Sequence, residues 1–405
     1  MKIGIYLSGL GESEAESPVE LYARRFARQF DSNYEDASPD FEVTADKFEY
    51  DKRNQLNCRR IVVSETKDGA AKIIYKFYEY RYAEIMTRNF KRSNALIKSG
   101  LLFLGVVSKI PLMCYRLVVT RKEVGYQPRF RAQALYMFLL FLLLSAAILF
   151  LLPAAIGVIS SLLNADQWLE NMVGALGLNF ESVIKFSGWV TSMTAALLLL
   201  KPGFSDSLIS LACEFVSASE YLERGKTKQT IHGQMDMLIE QIIKQEGEAT
   251  ELYFHSYSFG TLVSLDFVFP QGAEPSVRVK QHVKGLVTIG SPIDFVKVYF
   301  PKFFNELKTT LKEQLKWINV YSLADALASN FRKTDDEGPA EYSIDVHATM
   351  PINVLYEVAS VDSNIFTQFF TLHSIRAHAN YWDKGDDGQT CFRVLVPEMV
   401  RQGFV

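Results

Sequence analysis

Residues 252–268 carry the sequence LYFHSYSFGTLVSLDFV, and this stretch decides the predicted fold. Residues 252–255 form a strand-like run, and residues 261–268 form an apolar run that suits a helix. The turn between them, Ser256-Tyr257-Ser258-Phe259-Gly260, has a small residue two positions on either side of Ser258. A strand that enters a helix through such a sharp turn exposes the serine hydroxyl at the end of the sheet. We therefore interpret Ser258 as a candidate nucleophile.

Strand-like and helical patterns alternate over much of the remaining chain. Periodicity predicts strands over 3–7, 73–82, 252–255, 285–289 and 317–321, and helices over 18–30 and 234–245. Such alternation is typical of βαβ units in a mostly parallel sheet flanked by helices. The fold class predicted from the sequence is therefore α/β.

Composition excludes several classes of protein. The chain has 405 residues, a formal charge of -3 and 48% hydrophobic residues, so we expect neither a disordered chain nor a nucleic-acid partner. Four widely spaced cysteines suit reduced thiols in a cytosolic protein: Cys58, Cys114, Cys213 and Cys391. No zinc or phosphate-loop pattern occurs, so we expect no metal and no cofactor. The apolar run after Lys2 has only five residues, which is too short for a secretory signal.

A long apolar insertion interrupts the α/β pattern. No charged residue occurs from Ala132 to Ala165, and the run over 134–163 exceeds the roughly 20 residues that cross a bilayer. A second apolar run over 182–200 has Lys185 near its start and Lys201 at its end. We predict a transmembrane helical hairpin, although a helix lying on the membrane is an alternative for the second run.

Basic residues predict the orientation of this hairpin. Arginines and lysines are frequent over 116–131, before the first run, and scarce in the loop between the runs. The positive-inside rule then places both chain ends in the cytoplasm, with the protein in the inner (cytoplasmic) membrane. Residues 96–119 are apolar but carry basic residues, which favours an amphipathic segment at the membrane interface. The predicted domains are 1–95 and 206–405, two parts of one α/β domain, and 96–205, the membrane insertion.

Several motifs resemble one enzyme superfamily. FHSYSFGTLVSLDF (254–267) resembles the nucleophile segment of lipase- and esterase-type α/β-hydrolases, and GLVTIGSPIDF (285–295) resembles the strand that follows it. WINVYSLADALAS (317–329) resembles the acid-bearing strand and turn, and HANYWD (378–383) resembles the histidine loop. IGIYLSGLGE (3–12) and IIYKFYEYRYAEIM (73–86) resemble the oxyanion strand and a strand of membrane-associated bacterial members.

The resemblance implies an α/β-hydrolase fold and a set of site residues. Asp325 would be the acid and His378 the base, in the order Ser, Asp, His. The oxyanion hole would use the backbone N–H of Phe259 and one from Gly9 or Leu10. Two positions depart from the family pattern, because Ser256 replaces a glycine and Ser8 stands where a histidine is common.

The residue types leave alternatives open. His373 lies five residues before His378 and competes with it as the base, whereas His255 fits a packed strand residue. Asp294 competes with Asp325, which could instead cap a helix. Glu79 could be a functional carboxylate or half of an ion pair at the sheet.

The sequence thus predicts a membrane-anchored serine hydrolase that cleaves a hydrophobic ester, such as a lipid acyl ester. Its expected partners are this substrate and the membrane, and homo-oligomer formation is left open. One alternative is a catalytically silent hydrolase fold that acts as a membrane interaction or effector module, since Ser256 and Ser8 depart from the pattern. Another is a hairpin that permeabilises membranes, which its lack of charge disfavours.

Overall fold

A computed structural model describes residues 1–10, 17–31, 40–67, 70–93, 95–118, 133–134, 137–138, 174, 179, 204–225, 227–304, 315–344, 349–357, 377–378, 381–382 and 390–405. The chain divides into two compact units. The first comprises Met1–Ile85, Val119–Gln133 and Thr227–Val405, and the second comprises Met86–Val118 and Ala134–Lys226. The predicted domain bounds at 95 and 205 stay a prediction.

The first unit contains an eight-stranded sheet among its described residues. Its strands are β1 (Lys2–Leu7), β2 (Asp40–Asp51), β3 (Leu56–Lys67), β4 (Ala70–Glu79), β5 (Glu251–Tyr257), β6 (Val283–Ile289), β7 (Lys316–Tyr321) and β8 (Ile352–Leu355). Their spatial order is β2-β3-β4-β1-β5-β6-β7-β8. Strand β3 runs antiparallel to both of its neighbours, and all other adjacent pairs are parallel. The predicted α/β class with a mostly parallel sheet is confirmed.

Nine helices accompany these strands within the described residues. They are α1 (Pro18–Asp31), α2 (Tyr82–Arg92), α3 (Ala95–Val118), α4 (Phe204–Arg224), α5 (Lys228–Glu246), α6 (Phe259–Val268), α7 (Val277–His282), α8 (Ile293–Tyr299) and α9 (Phe392–Gln402). The boundary between the two units falls between Ile85 and Met86, within α2.

Helices cover both faces of the sheet in the first unit. Tyr75 and Phe77 of β4 join the core cluster that contains apolar residues of α1 and α9. Lys76 and Tyr78 point to the other face, where both donate to Glu246 of α5. This alternation follows from the two-residue period of a strand. Central strands β1, β5, β6 and β7 are therefore buried along most of their length.

Most strongly periodic segments form the predicted elements. Strands β1, β5, β6 and β7 and helices α1 and α5 are confirmed, with ends that differ by a few residues. The predicted strand over 73–82 is too long, because β4 ends at Glu79 and Tyr82 already begins α2. The N–H of Tyr80 still donates to Tyr6 of β1, but the N–H of Tyr82 donates back to Tyr80 and turns the chain.

The second unit contains helices α3 and α4 among its described residues. Leu102 and Val106 of α3 are buried, and the Phe215 ring of α4 lies against Gly105. Lys109 of α3 forms an ion pair with Glu223 of α4. The segment predicted to lie at the membrane interface, 96–119, thus forms a helix over nearly all its length.

The predicted membrane-crossing runs, 134–163 and 182–200, lie outside the described residues apart from 134 and 137–138. Within the part of the chain that the structure describes, no helix combines the length and apolar character needed to cross a bilayer.

The order of the strands creates a switch point between β1 and β5. From β1 the chain proceeds to β2, β3 and β4 on one side, whereas β5 to β8 follow on the other side. The loops that leave the carboxyl ends of β1 and β5 therefore diverge, and ligand sites of open parallel sheets form in the crevice at such a point. Ser8 follows β1 and Ser258 follows β5, so both lie at this position.

Candidate active site

Ser258 occupies a strained turn between β5 and α6. Its φ is 51° and its ψ is −124°, a combination that side-chain-bearing residues rarely adopt. The N–H of Ser258 donates to the carbonyl of Ile289 at 2.9 Å, which fastens the turn to the end of β6. The side chain is half-buried, so its hydroxyl reaches the edge of the sheet. The predicted strand–turn–helix geometry is present.

Gly260 explains why the second small position of the turn is needed. A Cβ at this residue would lie 2.6 Å from the carbonyl oxygens of both Leu7 and Ser8. Backbone atoms at this distance cannot move aside in the way that the end of a flexible side chain can. A glycine therefore lets the start of α6 approach the loop after β1.

Ser256, at the first small position, is accommodated by a partner on α6. Its side chain is buried, and its hydroxyl donates to Oγ of Ser264 at 2.8 Å. The Ser264 hydroxyl donates in turn to the carbonyl of Thr261 at 3.0 Å. A serine can therefore replace glycine here without leaving an unpaired buried hydroxyl. The sequence pattern did not single out Ser264 as a partner of this turn.

The three residues predicted as a triad are brought together. Oγ of Ser258 lies 2.7 Å from Nε2 of His378, and Nδ1 of His378 lies 2.8 Å from Oδ2 of Asp325. Because a carboxylate can only accept, Nδ1 carries the proton and Nε2 accepts from the Ser258 hydroxyl. The Asp325 side chain has no exposed surface, and that of His378 is 15% exposed. This arrangement can activate a serine as a nucleophile.

Asp325 is oriented by the turn that follows β7. Its Oδ1 accepts the N–H of Leu327 at 2.9 Å, two residues further on. Its Oδ2 accepts the hydroxyl of Tyr381 at 3.0 Å in addition to His378. Residues 322–344, all of which are described, contain no helix, so Asp325 is not a helix cap.

His378 is held by Tyr257, the residue that precedes the nucleophile. The Tyr257 hydroxyl donates to the carbonyl of His378 at 2.5 Å, and the two rings stack with centroids 5.6 Å apart. Gly290, with φ +58°, leaves room on the far side, because a Cβ there would lie 3.3 Å from Cε1 of His378. The sequence pattern included the Gly-Ser-Pro turn, but it indicated neither this role of Gly290 nor the hydrogen bond and ring contact that Tyr257 makes with His378.

Two of the residues predicted for the oxyanion hole, Gly9 and Phe259, lie beside the nucleophile turn. A Cβ on Gly9 would lie 3.4 Å from Cβ of Ser258, so the backbone of Gly9 passes close to it. Phe259 is the first residue of α6, where the N–H points out of the helix end. Leu10 follows Gly9 in the same loop.

Tyr82 braces this oxyanion region, and the sequence alone did not identify it. Its hydroxyl donates to the carbonyl of Ser8 at 2.8 Å. Its ring stacks on that of Phe259 with centroids 6.3 Å apart. The tyrosine thereby contacts both segments from which oxyanion donors are expected.

The competing residues have other partners or lie elsewhere. Asp294 accepts the Tyr342 hydroxyl at 3.0 Å, and Glu79 pairs with Arg81 at 3.0 Å. His255 is buried in the core between two tyrosines, where burial lowers its pKa to about 3. His373 lies outside the described residues.

Within the described ranges, no group of three or more His, Cys, Asp and Glu side chains is placed to hold a metal ion.

Comparisons of the chain with protein-family models, curated proteins and solved structures find no match.

Proposed function

We propose that the chain is a serine hydrolase of the α/β-hydrolase type that cleaves carboxylic esters. The observation that carries this proposal is the hydrogen-bonded chain Ser258–His378–Asp325 at a strained turn on the edge of a parallel sheet. A backbone held in an unfavourable conformation persists only where the surrounding structure enforces it, and such residues cluster at active sites.

The proposed reaction has two halves. Oγ of Ser258 attacks the ester carbonyl carbon while Nε2 of His378 takes the hydroxyl proton, and Asp325 stabilises the resulting imidazolium. The backbone N–H of Phe259 and one from Gly9 or Leu10 stabilise the negative oxygen of the tetrahedral intermediate. The alcohol leaves with the proton from His378, and water then releases the carboxylic acid from the acyl-enzyme.

A catalytically silent member of the same fold is the competing proposal. This alternative is motivated by the departures from the α/β-hydrolase pattern at Ser256 and Ser8. The hydrogen bond from Ser256 to Ser264 gives the first substitution a structural partner. At Ser8 the contact with Tyr82 uses the backbone carbonyl, so this contact does not depend on which side chain stands there. These contacts, together with the aligned side chains of the three site residues, favour hydrolysis.

A fluorophosphonate probe tests the catalytic part of the proposal, because it reacts covalently with activated serines. The purified protein should be labelled, and Ser258→Ala should abolish the label. Ser64→Ala is a matched control, since strand β3 is separated from β5 by β4 and β1, and should leave labelling unchanged. Labelling that survives Ser258→Ala would contradict the assignment.

We further propose that the protein is anchored to the cytoplasmic membrane and acts on a hydrophobic, lipid-like ester. The apolar runs over 134–163 and 182–200 support a hairpin in the bilayer. Helix α3 adds an exposed apolar face, with side chains 40–65% exposed at Ile97, Phe103, Leu104, Val107 and Ile110. Two basic residues of α3 are engaged within the second unit, because Lys109 pairs with Glu223 and Lys98 lies over the Phe90 ring. A charge-poor face of this kind suits the acyl region of a membrane.

Flotation with vesicles of phosphatidylcholine and phosphatidylglycerol tests the anchoring. The full-length protein should float with the vesicles and remain with them after a wash in alkaline carbonate, because the high pH removes proteins held at the membrane surface but does not extract a hairpin buried in hydrocarbon. Release by the wash would contradict the hairpin and leave only surface binding. Failure to float at all would overturn the membrane proposal.

A further inference from the structure

We infer that Tyr381 is a positioning residue of the proposed active site, acting on His378 through the Asp325 carboxylate. This inference rests on the proposed hydrolase function. The Tyr381 hydroxyl donates to Oδ2 of Asp325 at 3.0 Å, and Nδ1 of His378 donates to the same oxygen at 2.8 Å. Both Tyr381 and Asp325 are fully buried, so no bulk water competes for this oxygen.

A second hydrogen bond sets the direction of the first. The backbone N–H of Ser322 donates to the Tyr381 hydroxyl oxygen at 3.0 Å. Because an N–H cannot accept, the Ser322 N–H occupies a lone pair of the hydroxyl oxygen, and the hydroxyl hydrogen is donated to Asp325. Ser322 and Asp325 belong to the same turn, since the N–H of Asp325 donates to the carbonyl of Ser322. One hydroxyl thus fixes both the turn and its carboxylate.

The ring of Tyr381 is itself confined. A Cβ at Gly290 would lie 2.9 Å from the Tyr381 ring, so the glycine provides the space that the ring occupies. The ring also packs against Tyr257 and Tyr356, with centroids 6.2 Å away in each case. The carbonyl of Tyr381 accepts the N–H of Cys391 at the start of α9. Tyr381 therefore holds the segment that carries His378 against the acid turn.

The two donors at Oδ2 have a consequence for the reaction. When His378 takes the proton of Ser258, the new imidazolium needs an aligned, ionised carboxylate at Nδ1. A second, charge-assisted hydrogen bond to that oxygen restrains the rotation of the carboxylate. Removing the hydroxyl leaves Asp325 with fewer restraints at the moment when charge develops on His378.

The first experiment compares Tyr381→Phe with the wild type in the rate of fluorophosphonate labelling. Loss of one hydrogen bond to a charged group predicts labelling slowed by roughly tenfold or more. Tyr80→Phe is a matched control, because Tyr80 is also buried and its hydroxyl donates to the carbonyl of Ile231, not to the site. This variant should be labelled at the wild-type rate, and circular dichroism should show that both variants are folded.

The second experiment separates a role through Asp325 from a general loss of structure. In an Asp325→Ala background the acceptor of the Tyr381 hydroxyl is already absent, so adding Tyr381→Phe should slow labelling by less than about twofold. A slowing equal to that seen in the wild-type background would overturn the inference, as would wild-type labelling of Tyr381→Phe itself. If instead the wild type is not labelled, or labelling survives Ser258→Ala, the proposed function fails and the inference falls with it.

Discussion

His255 lies three residues before Ser258 on β5 but has the surroundings of a core residue. Its Nδ1 lies 2.8 Å from the Tyr22 hydroxyl and its Nε2 lies 3.0 Å from the Tyr75 hydroxyl. Both ring nitrogens of a neutral imidazole are thereby satisfied, one as acceptor and one as donor. Burial lowers the pKa of His255 from 6.5 to about 3, because the charged form would lose its hydration.

This depressed pKa predicts a loss of stability in acid. Below about pH 6.5 the unfolded chain binds a proton at His255 that the folded protein does not, so the free energy of unfolding falls as pH falls. The expected slope from this group is about 1.4 kcal/mol per pH unit between its unfolded and folded pKa values. Urea unfolding at a series of pH values measures it.

His255→Gln isolates this contribution, since the amide keeps hydrogen-bonding capacity but does not titrate. The variant should be less stable than the wild type near neutral pH, and the difference should shrink as pH falls toward 4. A difference that stays constant over that range would show that His255 is not buried in its neutral form. His282→Gln offers a comparison at a histidine whose Nδ1 lies 3.0 Å from the carbonyl oxygen of Thr250 and whose Nε2 lies 3.7 Å from Oε2 of Glu248.

At the scale of elements, the approach of α6 to the loop after β1 builds the site. The start of α6 carries Phe259, and the loop carries Gly9, so the distance between these elements sets the spacing of the expected oxyanion donors. Gly260 permits that distance, because any Cβ would meet the carbonyl oxygens of Leu7 and Ser8 at 2.6 Å. Helix and loop must separate if a side chain is introduced.

Gly260→Ala is therefore expected to lower both stability and activity. Overpacking of this kind costs about 1–3 kcal/mol in the free energy of unfolding. Displacement of the loop should also slow fluorophosphonate labelling, measured alongside urea unfolding. Gly233→Ala in α5 is the matched control, because nothing lies within 4 Å of its Cβ position and alanine favours a helix. Equal effects of the two substitutions would contradict this account.

Elements with a strong apolar pattern were predictable, and strands without one were not. Helix α1 repeats Val19, Tyr22 and Phe26 on one face, and all three are buried. The β2–β3 hairpin has no comparable signal, since β2 is largely exposed and rich in charged residues. Strand β2 pairs with β3, and β3 pairs with β4, so cross-strand pairing stabilises this hairpin although β2 has no apolar pattern of its own.

At the scale of the whole molecule, the sheet brings together segments that are far apart in the chain. Strand β1 lies between β4 and β5, so the loop after residue 7 meets the turn at residue 258. The switch point so formed is where a parallel sheet can bind a ligand. Asp325 and His378 reach the same place from the end of β7 and from a later segment.

The sequence by itself determined the strands around the nucleophile turn, because these depend on local pattern. It predicted the candidate acid and base only through the resemblance to α/β-hydrolases and their order along the chain, and it left Asp294 and His373 as competitors. Only the tertiary structure decided that Asp325, and not Asp294, faces His378, since the two aspartates differ in what lies beside them in space. It also decided the roles of Tyr257, Gly290, Tyr381 and Tyr82. A tyrosine or glycine is common in any core. Its hydroxyl, or its missing side chain, acquires a role only when packing places it beside a residue that is distant along the chain.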